Sequence, residues 1–331
     1  MSHGIKATFE VVGEKQVIQG IEQNVLPAGF RFGRMFPQLP AYRPTDASLA
    51  ALGARMTFAP ASPSEPPLPA DDSELPAGYT YFGQFIDHDI TRDGTQGSLE
   101  TVPQLEADQV LQIRSPRLDL DSLYGDFGGR AEDFFEVTDP VIFRIGQTEP
   151  PSVDDPQNDS LAVSDKARTS HPNDLPRVLF GKDAGKPLIG DDRNDENLIV
   201  AQLHLAFLKF HNKVAAELGT KQPTSPTRLF ARTRELVTKH YQWLVLDDFV
   251  RRLVHPDIFK AVFGVETLTD LADPVTIRPL FFNVTGFETP PMPLEFSTAA
   301  FSSSPIRRAA WASPAMSRPA LPMIMSRCPP I

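Results

Sequence analysis

The 331 residues carry 41% hydrophobic and 22% charged side chains, the balance of a globular chain able to bury one large core or two smaller ones. A formal net charge of -10 argues against a general binder of phosphate backbones, so nucleic acid is not an expected partner. No run approaches the roughly 18 apolar residues of a membrane helix, and the single cysteine, Cys328, excludes an internal disulfide. The start, Met1 to Lys6, lacks the apolar core of a secretory signal, which favours a cytoplasmic location with non-classical export as the alternative. With 33 prolines, long irregular connections between helices are expected.

In chain order, residues 1–30 offer only a strand-like patch around Thr8 to Val12. Thr45-Asp46-Ala47-Ser48 reads as a capped helix start, running to about Met56. Residues 59–78 are rich in Pro, Ser and Asp and read as a loop. A helix is then predicted from about Tyr79 to Thr91. Within it, Gln84, Asp87 and His88 fall on one face, Asp89 points about a quarter-turn away, and Phe82, Phe85, Ile86 and Ile90 cover the rest. Polar groups among such neighbours need partners. Taken alone, the stretch fits either a satisfied core histidine or a reactive site.

Residues 92–113 read as mostly loop. In Arg114 to Gly125, Pro116 opposes a long helix, and Asp119 and Asp121 alternate with leucines. An extended chain would put both carboxylates on one side. With Ser115, Ser122 and backbone carbonyls they supply hard oxygen donors suited to Ca²⁺, the alternative being a solvated acidic turn. Residues 147–176 look like an exposed excursion. The acidic cluster from Gly190 to Asn197 precedes a predicted helix from Leu198 to Leu218, with Leu198, Ala201, Leu205, Leu208 and Ala215 at helical spacing. Arg193 and Glu196 sit at its entrance, as capping residues and a local ion pair or as something more. A second long amphipathic helix is predicted from about Pro226 to Val254, with Trp243 in the core. His204, His211, His240 and His255 lack metal-ligand spacing and read as structural or surface residues.

Four stretches in this order resemble the animal-type haem peroxidases of the peroxidase–cyclooxygenase superfamily, in their disulfide-free bacterial branch. They are Phe82-Gly83-Gln84-Phe85-Ile86-Asp87-His88-Asp89, Leu118-Asp119-Leu120-Asp121-Ser122-Leu123-Tyr124-Gly125, Gly190-Asp191-Asp192-Arg193-Asn194-Asp195-Glu196, and Pro293-Leu294-Glu295-Phe296-Ser297-Thr298-Ala299-Ala300-Phe301. The resemblance implies a mainly α-helical haem-peroxidase fold with long Pro-rich connections, incomplete at the C-terminal side. It implies an N-terminal extension over residues 1–30, a partial peroxidase domain over 31–301 and a non-family tail over 302–331.

The resemblance also implies residue roles. His88 would be the distal acid–base residue, Arg193 the distal cation and Gln84 a hydrogen-bond donor to peroxide, water or halide. Asp87 and Glu196 match the carboxylates able to esterify the haem periphery, so the cofactor is haem b or ester-linked haem. Asp89, Ser115, Arg117 (through its carbonyl), Asp119 and Asp121 would bind Ca²⁺ and hold the distal helix in register. The implied partners are H₂O₂ and a small reductant or halide, as in a response to oxidative stress. Oligomeric state is not implied.

The family pattern breaks after Phe301. Pro305 stands where the histidine ligating the iron from the proximal side is expected, and no histidine follows His255. Residues 302–331 contain no Asp, Glu, Gly or His. The expectation is a reading-frame shift just after Phe301, against a real truncated product or iron ligation by Cys328 or Met316. Impaired haem retention follows from that reading. Three other functions stay open: a fatty-acid dioxygenase of the same superfamily, a non-catalytic calcium-stabilised binding protein, and an inert fragment.

Overall fold

The computed structural model describes residues 16–18, 21–23, 32–35, 39–40, 44–56, 75–94, 110–125, 134–148, 171–221, 224–264 and 291–297. The strand-like patch at Thr8 to Val12, most of the 147–176 excursion and everything from Thr298 onward, including Phe301 and Pro305, lie outside the described residues. The fold is mainly α-helical, as expected. Two compact units divide it, one from residues 120–239 and the other from the stretches on either side, 8–119 and 240–330.

In the flanking unit, β1 (Gln16–Ile18) pairs antiparallel with β2 (Ile21–Gln23). β3 (Phe32–Gly33) pairs in parallel with β6 (Met292–Pro293), and Met35 donates its N–H to Glu295 Oε2 at 3.0 Å. These contacts join two stretches far apart in sequence. The helix α1 (Asp46–Met56) begins as predicted, with Thr45 Oγ1 accepting from Ser48 N at 3.2 Å.

The helix α2 (Gly78–Ile90) is the predicted central helix. Tyr79, Phe82, Phe85, Ile86 and Ile90 are all buried, so apolar contact surrounds most of it. It stops where Thr91 turns extended, at φ -136° and ψ 135°, with Thr91 N–H returning to Asp87 O. Gln112 closes this end: its Nε2 donates to Ile90 O at 2.7 Å, and its Oε1 accepts from Arg92 N at 2.6 Å. One side chain thereby satisfies two backbone groups at the helix terminus.

The predicted helix from Pro226 to Val254 is a continuous helical path in three parts. α5 (Pro226–Trp243) widens into a π-helical segment, Leu244–Val250, and tightens again into α6 (Arg251–Leu253). Trp243, expected in the core, is only half-buried, because the core side is taken by Tyr241, Leu244, Val245 and Phe249. α7 (Pro256–Phe263) follows, with Pro256 in its first turn and Gly264 ending it at φ +76°.

In the other unit, α3 (Asp121–Tyr124) is one short turn. β4 (Phe135–Glu136) and β5 (Asp139–Phe143) form a hairpin against α4 (Leu198–Lys221). Asn212 on α4 accepts from Phe143 N and donates to Phe143 O, both at 2.8 Å. Its amide thus acts as one more rung of the hairpin ladder. Ala201, Leu205, Leu208 and Ala215 are buried as predicted, but Leu198 is 75% exposed. Leu198 is the first residue of α4. Leu175, inside the predicted excursion, is fully buried rather than exposed.

Candidate active site

On α2, His88 and Asp89 are buried, at 5% and 0% exposure, while Gln84 and Asp87 are half-buried. The three lie at helical spacing on α2, and the imidazole is the most buried of them. Thr91 Oγ1 donates to Asp87 Oδ1 at 2.8 Å, which orients that carboxylate along the helix terminus. The other end of α2 is fixed through Tyr79, whose hydroxyl donates to Asp248 on the π-helical segment at 2.6 Å. Gly83 allows the close approach: a Cβ there would sit 3.0 Å from Phe249 Cζ. A π-turn that re-aims side chains at a neighbouring element is a frequent device near functional sites.

Asp89 shares its surroundings with Asp119 and Tyr241. The phenol of Tyr241 is raised well above its ordinary pKa, first by burial, then by the charge and hydrogen bonding of Asp89 and the charge of Asp119. Two carboxylates thus bear on one buried hydroxyl. Gln242 Nε2 donates to Leu118 O at 2.8 Å, which holds the Asp119 stretch beside the end of α5.

Asp119 and Asp121 do not alternate on an extended strand. Leu120 between them adopts a left-handed conformation, φ 56° and ψ 43°, and Asp121 starts α3. The reversal buries Leu120 completely, which explains why a non-glycine residue takes this conformation. Of the other predicted calcium donors, Ser115 and Asp121 are buried and Arg117 is exposed. Among the described residues no group of three or more His, Cys, Asp or Glu side chains forms a metal cluster.

In the other unit, Arg193 lies in a 3-10 turn, Asp192–Asp195, just before α4. Its guanidinium pairs with Asp191, two residues earlier, through Nε to Oδ1 at 3.0 Å and Nη2 to Oδ2 at 2.8 Å. Glu196, the other half of the expected site, caps the turn and is exposed. Arg177 clamps the turn from outside, with Nη1 and Nη2 on Asp195 at 2.7 and 2.9 Å and Nε on Asp174 at 2.9 Å. Burial would raise the Asp174 carboxyl, but the hydrogen bond from Arg177 and the Leu175 N–H hold it below its ordinary value.

Behind the turn, Asn194 Nδ2 donates to His204 Nδ1 at 3.0 Å, which places the His204 proton on Nε2. Burial pushes His204 down to about 3, with the nearby Asp191 charge opposing. Further along α4, His211 Nε2 donates to Val141 O at 2.8 Å, so in the neutral ring Nδ1 accepts from Tyr124 Oη at 2.8 Å. Burial lowers His211 to about 4. Both histidines are structural, in line with the sequence reading. Arg177, Gln112, Tyr241 and Asp248 were not anticipated. Asp191, by contrast, is a turn-capping residue type placed just before Arg193 in the sequence.

The sequence profile described as animal haem peroxidase matches residues 119–304, more than half of the chain. The chain belongs to the animal haem peroxidase family. The match includes Asp119, Asp121, Arg193 and Glu196, and it stops three residues past Phe301. His88, Gln84, Asp87 and Asp89 lie before it, so their assignment rests on the motif around α2. Among solved structures, Peroxidase A from Dictyostelium discoideum is similar at 15% identity with a TM-score of 0.45. That likeness covers 88% of this chain and 59% of that one, so the chain spans less than two thirds of that protein's length. No curated protein matches the chain.

Proposed function

We propose that this chain carries the peroxide-handling face of a haem peroxidase, reducing H₂O₂ while a small reductant or a halide is oxidised. His88 takes a proton from bound H₂O₂ and returns it to the departing oxygen, a task suited to an imidazole near neutral pH. Arg193 stabilises negative charge on the breaking O–O bond. Gln84 hydrogen-bonds the peroxide. Haem supplies the redox chemistry when bound, with Asp87 and Glu196 as the carboxylates at its edge. The observation carrying this reading is the family match across the turn that holds Arg193, where a half-buried guanidinium is fixed by a fully buried carboxylate.

The imidazole, guanidinium and amide fit the peroxide side of a haem. On the opposite side, Pro305 stands at the position where the resemblance expects the proximal histidine. His204 and His211 are committed to Asn194 and to Tyr124 and Val141. With Pro305 at that position, we expect weak haem binding that added imidazole strengthens. Haem titration of the full chain, followed by Soret absorbance with and without imidazole, tests this. Tight stoichiometric binding without imidazole would contradict the missing-ligand part, and no binding in either condition would contradict the haem reading.

Ca²⁺ is proposed at Asp89 and Asp119, completed by Ser115, Asp121 and the Arg117 carbonyl. Its support is the chemistry of the donor set, hard oxygens of which Asp89, Ser115 and Asp121 are buried. Calcium at a hundredfold over its Kd would add about 2.7 kcal/mol. A chelator should therefore lower the Tm of the wild type and leave Asp89→Asn unmoved. A calcium-dependent Tm in a chain that binds no haem would favour the second reading, a calcium-stabilised binding protein without catalysis.

A further inference from the structure

The geometry points to Asp191 as a positioning residue for Arg193, with Asn194 and His204 pinning the turn that carries both; its consequence for catalysis rests on the peroxidase reading above. Asp191 receives three bonds from Arg193: from the main-chain N at 3.1 Å, from Nε at 3.0 Å and from Nη2 at 2.8 Å. Its side chain is fully buried while that of Arg193 is 26% exposed. Asn194 N also donates to Asp191 O at 3.0 Å, closing the turn on itself. Asn194 and His204 are both 0% exposed, and their side-chain bond roots the turn in α4.

A lone arginine has many rotamers and would have to be ordered by whatever anion it meets. Here one edge of the guanidinium, Nε with Nη2, is fixed by a carboxylate that solvent does not reach. The plane of the group is set by Asp191, Asn194 holds the turn that carries both, and the cation is oriented ahead of any anion. The pairing also offsets part of the positive charge. Asp191 thus exchanges raw anion affinity for direction. Its removal should affect the peroxide step and leave the reductant step alone.

Two measurements test this. In the haem-free full chain with ¹⁵N-labelled arginine, Arg193→Lys identifies the Arg193 Nε–H signal. Asp191→Asn should speed exchange of that proton with water by roughly 10- to 100-fold, the loss expected for a charge-assisted bond. With haem and imidazole added, Asp191→Asn should lower the second-order constant for peroxide consumption by roughly 10- to 100-fold. The reductant-dependent rate should stay unchanged, and Asp191→Asn should add nothing in an Arg193→Lys background. Unchanged Nε–H exchange, or faster exchange with an unchanged peroxide constant, would overturn the proposal. If even the wild type consumes no peroxide, the peroxidase reading fails, and the exchange result alone decides whether Asp191 fixes Arg193. Asn194→Ala, expected to loosen the same proton, replaces Asp191→Asn if that variant does not fold.

Discussion

The Tyr79 hydroxyl donates to Asp248 Oδ2 at 2.6 Å, and Arg252 Nε donates to Asp248 Oδ1 at 2.7 Å. These bonds tie the start of α2 to the π-helical segment and compensate a carboxylate that is only 1% exposed. Arg252 also lies over the Tyr79 ring, 5.5 Å from its centroid. Tyr79→Phe keeps the ring and removes one donor to a buried charge. It should cost about 1–3 kcal/mol in urea unfolding, and a neutral effect would mean that this latch does not hold α2.

Gly83 faces Phe249 closely: an added Cβ would meet Cζ at 3.0 Å and Cε2 at 3.4 Å, so the buried ring would have to shift by a few tenths of an ångström. Alanine favours a helix by about 1 kcal/mol over glycine, yet Gly83→Ala should destabilise by about 1–3 kcal/mol through overpacking. Phe249→Leu should absorb part of that cost, so the double variant should be more stable than the two single effects summed. Strict additivity in a denaturation cycle would count against the contact.

Stability should fall on acidification through the histidines of α4. His204 and His211 are lowered by burial to about 3 and about 4, against an ordinary value of 6.5. Between 6.5 and those values the unfolded chain binds protons that the folded chain does not, so the unfolded state gains as pH drops. The contribution is complete above 6.5 and is lost as pH falls toward 4 and then 3. Each group adds a slope of up to about 1.4 kcal/mol per pH unit. Replacing either histidine by glutamine should flatten the curve of unfolding free energy against pH over this window. An unaltered slope would show that the ring is protonated in the folded state.

Local chemistry made the helices legible. Thr45, the periodic apolar residues of α2 and α4, and Pro226 are signals carried within a few residues, and those elements begin where they were expected. The left-handed Leu120 was not legible, because a leucine takes that conformation only when burial elsewhere compensates it. The π-helical segment was also hidden, since its partners, Gly83 against Phe249 and Tyr79 on Asp248, lie far away in sequence. In the site, the residue types of α2 and of the Arg193 turn could be read directly. Their supports could not, because Gln112, Tyr241 and Asp248 act across sequence gaps that a pattern does not span. The change of composition after Phe301 is legible in the sequence and falls outside the described residues.

The most direct test of the account is the rate of H₂O₂ consumption by the full chain with haem and imidazole, compared between the wild type and His88→Ala. The account predicts measurable consumption in the wild type and a fall of roughly 100- to 10,000-fold in the variant, the range expected for loss of a general acid–base group. Equal rates in both proteins would contradict it, because haem itself would then be the catalyst and His88 a buried histidine of α2 with no part in the chemistry.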